Sequence, residues 1–225
     1  SDNRKQREQY AVHQHRGEIR VSSPTMMPMS LEEIAQAVQG RLIAGTAAID
    51  TPVATSTFTD SRQIVEGSVF VAIAGERVDG HDYVSKVGAQ GAVAAIVDHE
   101  IDVALGALAK HNIERRRALE TPFTVIGITG SVGKTTTKDL MKALLAHIGP
   151  TIAPVGSFNN EIGLPLTSLK VHAETRFLVA EMGANHVGEI ANLTSLVPPD
   201  IAVVLRVGVA HLGEFGSPER IAQAK

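Results

Sequence analysis

The stretch that decides the fold of this chain reads Gly127-Ile-Thr-Gly-Ser-Val-Gly-Lys-Thr-Thr-Thr-Lys138. An apolar run from Phe123 to Ile128 precedes it and is typical of a buried strand, and apolar residues at helical spacing follow it from Asp139 to His147. A strand, a glycine-rich turn and a Lys-Thr pair at the start of a helix are the arrangement that holds the phosphates of a nucleotide. The sequence therefore predicts a nucleotide-binding P-loop in an α/β fold.

Individual residues of this P-loop have separate expected roles. Gly130 and Gly133 let backbone N–H groups turn toward the phosphates, and the helix N-terminus adds partial positive charge. Lys134 would reach the outer phosphates, and the Thr135 hydroxyl would ligate Mg²⁺. The expected ATP-binding residues are Gly130, Ser131, Val132, Gly133, Lys134, Thr135 and Thr136. Because Ile128 stands where the common P-loop has its first glycine, the loop is a short form, and a chance glycine turn before a helix is the alternative.

Composition excludes several classes of protein. The 225 residues are 44% hydrophobic and 20% charged, as in a globular domain, and the net charge of −3 argues against a nucleic-acid surface. No apolar run reaches the ~18 residues of a membrane span, so we expect no membrane insertion. The chain has no cysteine, which fits a cytoplasmic protein. Aromatic residues are only 4% of the chain, which disfavours platforms that stack single-stranded nucleic acid.

Three segments differ in pattern. Residues 1–24 are polar and aperiodic, and we expect a disordered leader over residues 1–26. Residues 27–120 would form a small N-terminal α/β domain, in which a capping box from Ser30 to Glu33 opens a short helix that Gly40 closes. In this domain we expect strands at 53–58, 69–74 and 92–97 and helices near 82–88 and 102–117. The basic cluster Arg115-Arg116-Arg117 is most simply a solvated helix end.

The pattern after Thr121-Pro122 changes to strands that alternate with helices, over residues 121–225. We expect strands at 123–129, 176–182 and 200–207 and helices near 134–147, 160–169, 186–196 and 218–225. Nearly continuous apolar strands predict a mostly parallel sheet covered on both faces. The sequence stops inside a helical pattern after three or so strands, so we expect a truncated domain.

Two polar side chains follow strands of this sheet. Glu181 ends an apolar strand, as does the carboxylate that holds Mg²⁺ in P-loop proteins, although a strand can also end at a solvated Glu. His211 follows the third strand at the carboxyl edge, where ligands of open α/β sheets bind. A lone His is more often a hydrogen-bonded residue than a metal ligand, but the position at the strand end makes the two interpretations about equal, so both stay open.

Six stretches of the sequence form an ordered set. They are Thr59-Asp-Ser-Arg62, Val69-Phe-Val-Ala72 with Asp79-Gly-His81, Gly130-Ser-Val-Gly-Lys-Thr135, Phe158-Asn-Asn-Glu-Ile-Gly-Leu-Pro165, Glu181-Met-Gly-Ala-Asn185, and Ala210-His-Leu212 with Phe215-Gly-Ser217 and Lys225. As a set they resemble the motifs of the Mur ligases, and the resemblance covers about Ser30 to Lys225. The family's P-loop is also short, which accounts for Ile128.

The resemblance implies ATP-dependent ligation in the synthesis of bacterial peptidoglycan precursors, and hence a part in cell shape and division. The stretches 158–165 and 181–185 favour the activity that joins UDP-N-acetylmuramoyl-tripeptide to D-alanyl-D-alanine. ATP would phosphorylate the terminal carboxylate of the tripeptide, and the amine of the dipeptide would attack the acyl phosphate. Cations must screen the anions that meet in such a reaction.

The resemblance also assigns roles to single residues. Thr135 and Glu181 would hold one Mg²⁺, and His211 and Lys225 a second, with Lys225 carbamylated. The catalytic residues would be Lys134, Glu181, His211 and Lys225. The alternative for Lys225 is an ordinary lysine on the surface of a helix, and only the motif match favours the ligand role over it.

Substrate contacts are expected in both domains. The N-terminal domain would bind the UDP end through the hydroxyl of Ser61 and the guanidinium of Arg62, whose alternative is a turn with a local ion pair. Asn159 and Asn160 would face the muramoyl-peptide, and their alternative is to cap the helix that follows.

The resemblance further implies a C-terminal domain that this sequence lacks. We therefore expect the fragment alone to be inactive, with weak nucleotide affinity, and to be a monomer. The related ligase that adds the third peptide residue, a folylpolyglutamate synthase and a non-catalytic P-loop module stay open as alternatives. The stretch from Thr59 to Arg62 argues against the folate enzyme.

Overall fold

The structure is a computed structural model that describes residues 26–43, 52–53, 56–75, 78–97, 100–208 and 217–225. Its strands are β1 (Met29–Ser30), β2 (Pro52–Val53), β3 (Thr57–Phe58), β4 (Ser68–Val71), β5 (Ala92–Ile96), β6 (Thr124–Thr129), β7 (Thr151–Ile152), β8 (Phe177–Glu181) and β9 (Ile201–Val204). Its α-helices are α1 (Leu31–Ala37), α2 (Val84–Ala89), α3 (Ile101–Arg117), α4 (Lys134–Ala146), α5 (Gly163–Ser168), α6 (Glu189–Leu196) and α7 (Pro218–Ala224). Short 3₁₀ turns lie at Ser61–Gln63 and Gly80–Tyr83.

The N-terminal part contains a parallel sheet in the order β3-β4-β5 and a separate antiparallel pair, β1-β2. The single strand expected over 53–58 is wrong, because β2 pairs with β1 whereas β3 pairs with β4. Strand β4 is buried along its whole length and forms the centre of this part. Its apolar residues face helices on both sides, as expected for a parallel sheet.

The central sheet is parallel, with the order β7-β8-β6-β9. One of its two inner strands, β6, leads directly into the P-loop. The register pairs Ile128 with Glu181, so the end of β8 lies beside the start of that loop. Strand β7 escaped the sequence analysis because two residues are too short to display an alternating pattern.

Helices cover both faces of the central sheet, which confirms the expected α/β fold class. On one face, Val125 and Leu178 pack in a core that includes Leu164 of α5 and Leu193 of α6. On the other face, a core that includes Ile128 packs against α4. The alternation of side chains along β6 therefore divides them between two apolar layers.

Helix α3 joins the two parts of the molecule. Leu105 and Leu108 belong to the N-terminal core, and that core also includes Leu169, which lies beyond α5. Farther along the helix, Ile113 belongs to the core of the central sheet. The side-chain amide of Asn112 donates hydrogen bonds to the carbonyls of Ser168 and Val171. The apolar interior is therefore continuous across the boundary expected near residue 121.

The solvated position expected for the basic cluster at the end of α3 is wrong for Arg116. This side chain is 1% exposed, and it donates hydrogen bonds to the carbonyls of Thr175 at 2.7 Å and Pro122 at 3.1 Å. Burial lowers the pKa of Arg116. The planar guanidinium satisfies several carbonyls at once, which an apolar side chain could not do.

The expected leader lies almost entirely outside the described residues. Its last residue, Met26, is fully buried in the N-terminal core. Within the described part of the chain, no helix has both the length and the apolar character needed to cross a membrane.

Candidate nucleotide and magnesium site

The P-loop lies at the carboxyl edge of the central sheet, between β6 and α4. Gly130 has φ +147° and Gly133 has φ +87°, a conformation that residues with a side chain rarely adopt. A Cβ on Gly130 would also lie 2.7 Å from Leu205 Cβ. These two glycines therefore allow the tight turn that brings Lys134 to the first position of the helix.

Lys134 lies where two cavities adjoin. Its Nζ donates a hydrogen bond of 2.8 Å to the carbonyl of Gly130, across its own loop. The P-loop cavity, of about 240 Å³, is lined by residues 131–136, Ser157, Asn159 and Glu181. The side cavity, of about 250 Å³, is lined by residues that include Lys134, Asn159, Asn160, Gly183 and Glu189. A lysine between two cavities can contact a group held in either one.

Glu181 is the buried carboxylate of this site, with a residue exposure of 1%. Its Oε1 accepts hydrogen bonds from Thr135 Oγ1 at 3.3 Å and from Asn159 Nδ2 at 2.9 Å. Its Oε2 is buried and has no hydrogen-bond partner among the residues that the structure describes. The solvated strand end that the sequence left open for Glu181 is therefore wrong.

An unpartnered carboxylate oxygen in the interior is costly, and a divalent cation would satisfy it. The hydroxyl of Thr135 and the carboxylate of Glu181 are hard oxygen ligands of the kind that Mg²⁺ prefers. Among the residues that the structure describes, no three His, Asp or Glu side chains form a metal-binding group. An ion here would thus take its remaining ligands from phosphate oxygens and water, as Mg²⁺ commonly does beside a nucleotide.

Asn159 lies against Glu181, a contact that the sequence did not reveal. The Gly183 N–H donates to the carbonyl of Asn159 at 2.8 Å, which fixes the Asn159 backbone beside the end of β8. Asn160 behaves differently, because its Oδ1 accepts from the Gly163 N–H at 2.9 Å and so caps α5. Both residues line the side cavity.

Lys225 follows α7, and its side chain reaches the same edge of the sheet. Its Nζ donates to the carbonyl of Ala184 at 3.1 Å. Burial lowers the pKa of Lys225, the charge of Lys134 lowers it further, and the carboxylate of Glu189 acts in the opposite direction. His211, the other expected ligand of a second ion, lies outside the described residues.

Glu189 is a residue of this edge that the sequence analysis missed. It is the first residue of α6, and it accepts hydrogen bonds from the Asn185 N–H at 2.7 Å and from His186 Nδ1 at 2.9 Å. Burial acts to raise the pKa of Glu189, but these hydrogen bonds outweigh it and hold the pKa below its ordinary value. The sequence feature that could have identified Glu189 is its position directly after Gly188, at the start of a helix, where an acidic side chain is favoured.

Ser61 and Arg62 lie far along the sequence from the P-loop, at a cavity of about 560 Å³ in the N-terminal part. Arg62 Nη2 lies 2.7 Å from Asp60 Oδ2, and the Arg62 side chain is 85% exposed. The local ion pair that the sequence left open is thus present, at the rim of the cavity. Tyr83 and Lys86, which the sequence analysis did not select, line the same cavity.

Two family models match the chain and overlap at the P-loop. The model described as Mur ligase family, catalytic domain, matches residues 55–134, and the Mur ligase middle domain matches residues 128–225. The chain belongs to the Mur ligase family.

Curated relatives of this Mur ligase carry a common name, UDP-N-acetylmuramoyl-tripeptide–D-alanyl-D-alanine ligase. The protein of that name from Mycobacterium tuberculosis is 41% identical over 89% of this chain and 45% of its own length. The one from Escherichia coli is 35% identical, with the same two coverages. The chain therefore spans about half the length of the curated relatives it matches.

Solved structures of Mur ligases are also similar to this chain. A crystal structure of MurF from Acinetobacter baumannii matches with a TM-score of 0.74 and 35% identity, covering 89% of this chain and 46% of the other. MurF ligase from Thermotoga maritima in complex with ADP matches with a TM-score of 0.65 and 36% identity, covering 76% and 42%.

Proposed function

We propose that this chain supplies the UDP-substrate and ATP-binding parts of a ligase that joins UDP-N-acetylmuramoyl-tripeptide to D-alanyl-D-alanine. One observation carries the proposal: Glu181, beside the P-loop, has one oxygen held by Thr135 and Asn159, and its other oxygen is buried with no partner in the described part of the chain. The name shared by relatives of up to 41% identity supports this choice of substrates. The complex of the Thermotoga ligase with ADP supports a nucleotide at the P-loop.

The chemistry explains the residue types at the site. In the proposed reaction, the terminal carboxylate of the tripeptide attacks the γ-phosphorus of ATP, forming an acyl phosphate and releasing ADP. The dipeptide amine then attacks the acyl carbon, the amide forms, and phosphate and a proton leave. A bound Mg²⁺ would neutralise charge on the phosphates. Thr135 and Glu181 would hold this ion, and Lys134 would exchange the Gly130 carbonyl for a phosphate oxygen.

The UDP end of the substrate would bind the cavity at Ser61 and Arg62. A guanidinium can hold a carboxylate and a diphosphate oxygen at once, because it has five N–H donors. Arg62 uses two of its nitrogens on Asp60 and is otherwise open to solvent. Lys86, at the same cavity, would add a second positive charge for the diphosphate.

A second Mg²⁺ and a carbamylated Lys225 belong to the same proposal. The lowered pKa of Lys225 favours the neutral amine that reacts with CO₂. The test is a carbon NMR spectrum of the chain in ¹³C-labelled bicarbonate. The expected result is a carbamate signal that disappears in Lys225→Met, and a spectrum without that signal would remove this part of the proposal.

The remaining parts concern partners and location. We propose a cytoplasmic monomer that binds no nucleic acid and does not insert into a membrane. Its proposed substrates are a nucleotide sugar peptide, a dipeptide and ATP. We also propose that this chain alone has no ligase activity, since it spans about half the length of the curated relatives.

The deciding experiment measures coupling between the two substrates. A fluorescent ATP analogue is titrated with Mg²⁺ in the presence of UDP-N-acetylmuramoyl-tripeptide or UDP-N-acetylmuramoyl-dipeptide. We expect Mg²⁺-dependent binding that the tripeptide changes and the dipeptide does not. Nucleotide binding that neither compound alters would favour a non-catalytic P-loop module, and a response to the dipeptide alone would favour the ligase that adds the third residue.

A further inference from the structure

Lys138 is a buried cation that the proposed reaction does not use. It lies on α4, one turn after Lys134, and it is 1% exposed. Its Nζ donates hydrogen bonds of 2.9 Å to the carbonyls of Pro154 and Gly156, and it lies 2.9 Å from Asp139 Oδ1. A buried ammonium is tolerated when its three N–H groups are paired, and here each of them has an acceptor.

The carbonyls that Lys138 holds belong to the loop that leads to Asn159. Residues 155–158 of this loop are exposed, including the large apolar side chains Val155 at 71% and Phe158 at 54%. Burial of apolar side chains therefore does little to hold these four residues in place. Hydrogen bonds fix both ends instead, with Lys138 at Gly156 and the carbonyl of Asn159 at Gly183.

Asn159 transmits the position of this loop to Glu181. Its side-chain amide donates to Oε1 of Glu181 at 2.9 Å, which leaves Oε2 as the oxygen that has no partner within the ranges that the structure describes. Ser157, between the two fixed ends, lines the P-loop cavity. A shift of the loop by about 1 Å would break a hydrogen bond of this length and leave the carboxylate held only by the longer bond of 3.3 Å from Thr135.

We propose that Lys138 is a positioning residue: by anchoring the loop at Pro154 and Gly156, it sets Asn159 against Glu181 and so aims the second carboxylate oxygen at the nucleotide-bound cation. This inference rests on the proposed function only for the identity of that cation. Besides Lys134 and Thr135, which would contact the phosphates and the cation, helix α4 thus contributes Lys138, which acts on the group opposite them.

The test compares Lys138→Met with Lys142→Met, which makes the same chemical change one turn along the helix at an exposed position. Amide hydrogen exchange is measured over residues 155–159, and binding of the fluorescent ATP analogue is measured with Mg²⁺ and with EDTA. In Lys138→Met, exchange at 156–159 should rise about tenfold while β6 and β8 stay protected. The gain in affinity from Mg²⁺ should fall about fivefold, with affinity in EDTA changed less than about twofold.

The opposite results are equally specific. Unchanged exchange at 156–159 would overturn the inference, because Lys138 would then not anchor the loop. Equal losses of affinity with and without Mg²⁺ would also overturn it, because they would show that the lysine acts on the whole fold and not on the cation site. Should Lys138→Met fail to fold, Lys138→Gln keeps a neutral amide donor, and the same measurements decide. If the unmodified chain binds no ATP analogue, the proposed function fails, whereas exchange at 156–159 still shows whether Lys138 anchors the loop.

Discussion

The side-chain amide of Asn159 donates a hydrogen bond of 2.9 Å to Glu181 Oε1, and the other oxygen of that carboxylate is buried with no partner among the described residues. The amide of Asn159 orients the carboxylate of Glu181. A cation bound to the second carboxylate oxygen would compensate for the missing hydrogen bond. Thr135, the second residue of α4, completes the group with its hydroxyl. Three elements that are distant in sequence thus meet at one edge of the central sheet.

Replacing Glu181 with Gln should separate stability from metal binding. The change keeps the shape of the side chain and removes its buried charge, so the free energy of unfolding should stay equal or rise by about 1 kcal/mol. The Mg²⁺-dependent gain in ATP affinity should fall at least about tenfold, because a neutral amide is a poor ligand for Mg²⁺. Urea unfolding and fluorescent nucleotide titration measure the two quantities.

Glu174→Gln is the matched control for this prediction, since Glu174 is exposed and precedes β8 at its opposite end. It should leave both quantities unchanged. A Glu181→Gln variant that still gains affinity from Mg²⁺ as the unmodified chain does would show that Glu181 is not a ligand.

Replacing Gly183 with Ala should displace the Asn159 side chain while both partners of its hydrogen bond to Glu181 keep their own side chains. A Cβ on Gly183 would lie 2.7 Å from both Cγ and Oδ1 of Asn159, well inside contact distance. We expect a loss of about 1–3 kcal/mol in the free energy of unfolding, as for other overpacked sites. The Mg²⁺-dependent part of ATP affinity should fall with it, because Glu181 loses its amide donor.

Gly88→Ala serves as the control, since a Cβ at this helical glycine meets no atom within 4 Å. That variant should be as stable as the unmodified chain or more stable by about 0.5–1 kcal/mol. If Gly183→Ala binds Mg²⁺ and ATP normally, the Asn159 contact is not needed to orient Glu181.

Arg62 should keep Asp60 ionised in strongly acidic solution. Hydrogen bonds from the Arg62 side chain and backbone lower the pKa of Asp60 from 3.8 to about 2. Because the folded pKa lies below the ordinary value, the stabilising contribution of this pair is complete above pH 3.8 and is lost as pH falls toward 2. Carboxyl NMR titration should give a midpoint near 2 for Asp60 and a higher midpoint, below 3.8, in Arg62→Met, because the backbone N–H of residue 62 still donates to Asp60. An unchanged midpoint in Arg62→Met would mean that the ion pair does not form in solution. The control is Arg41→Met, at an exposed arginine, which should leave the midpoint of Asp60 unchanged.

The P-loop and Glu181 could be predicted from the sequence because each is encoded locally. Two glycines, a Lys-Thr pair and flanking apolar periodicity occupy a dozen consecutive residues, and Glu181 directly ends an apolar strand. In parallel strands, the carboxyl ends meet at one edge of the sheet, so the approximate meeting of these groups follows from the pattern alone.

Contacts that depend on packing between elements could not be predicted in the same way. Asn159 has the pattern of a helix-capping residue, and nothing local indicates that its amide meets Glu181. Arg116 belongs to a run of three arginines that is typical of a solvated helix end, yet the carbonyls around Thr175 create a buried site for its guanidinium. Such acceptors appear only when segments about sixty residues apart have been packed together.

Replacing Arg116 with Met should test whether α3 holds the two parts of the molecule together. Met fills much of the same volume but leaves the carbonyls of Thr175 and Pro122 without donors, at about 1–3 kcal/mol for each buried group. Calorimetry should therefore give one unfolding transition for the unmodified chain and a lower midpoint for the variant, with amides of both β4 and β6 exchanging faster. The exposed Arg41→Met is the control and should unfold like the unmodified chain. A midpoint unchanged within about one degree, or faster exchange confined to β6, would mean that the guanidinium does not couple the two sheets.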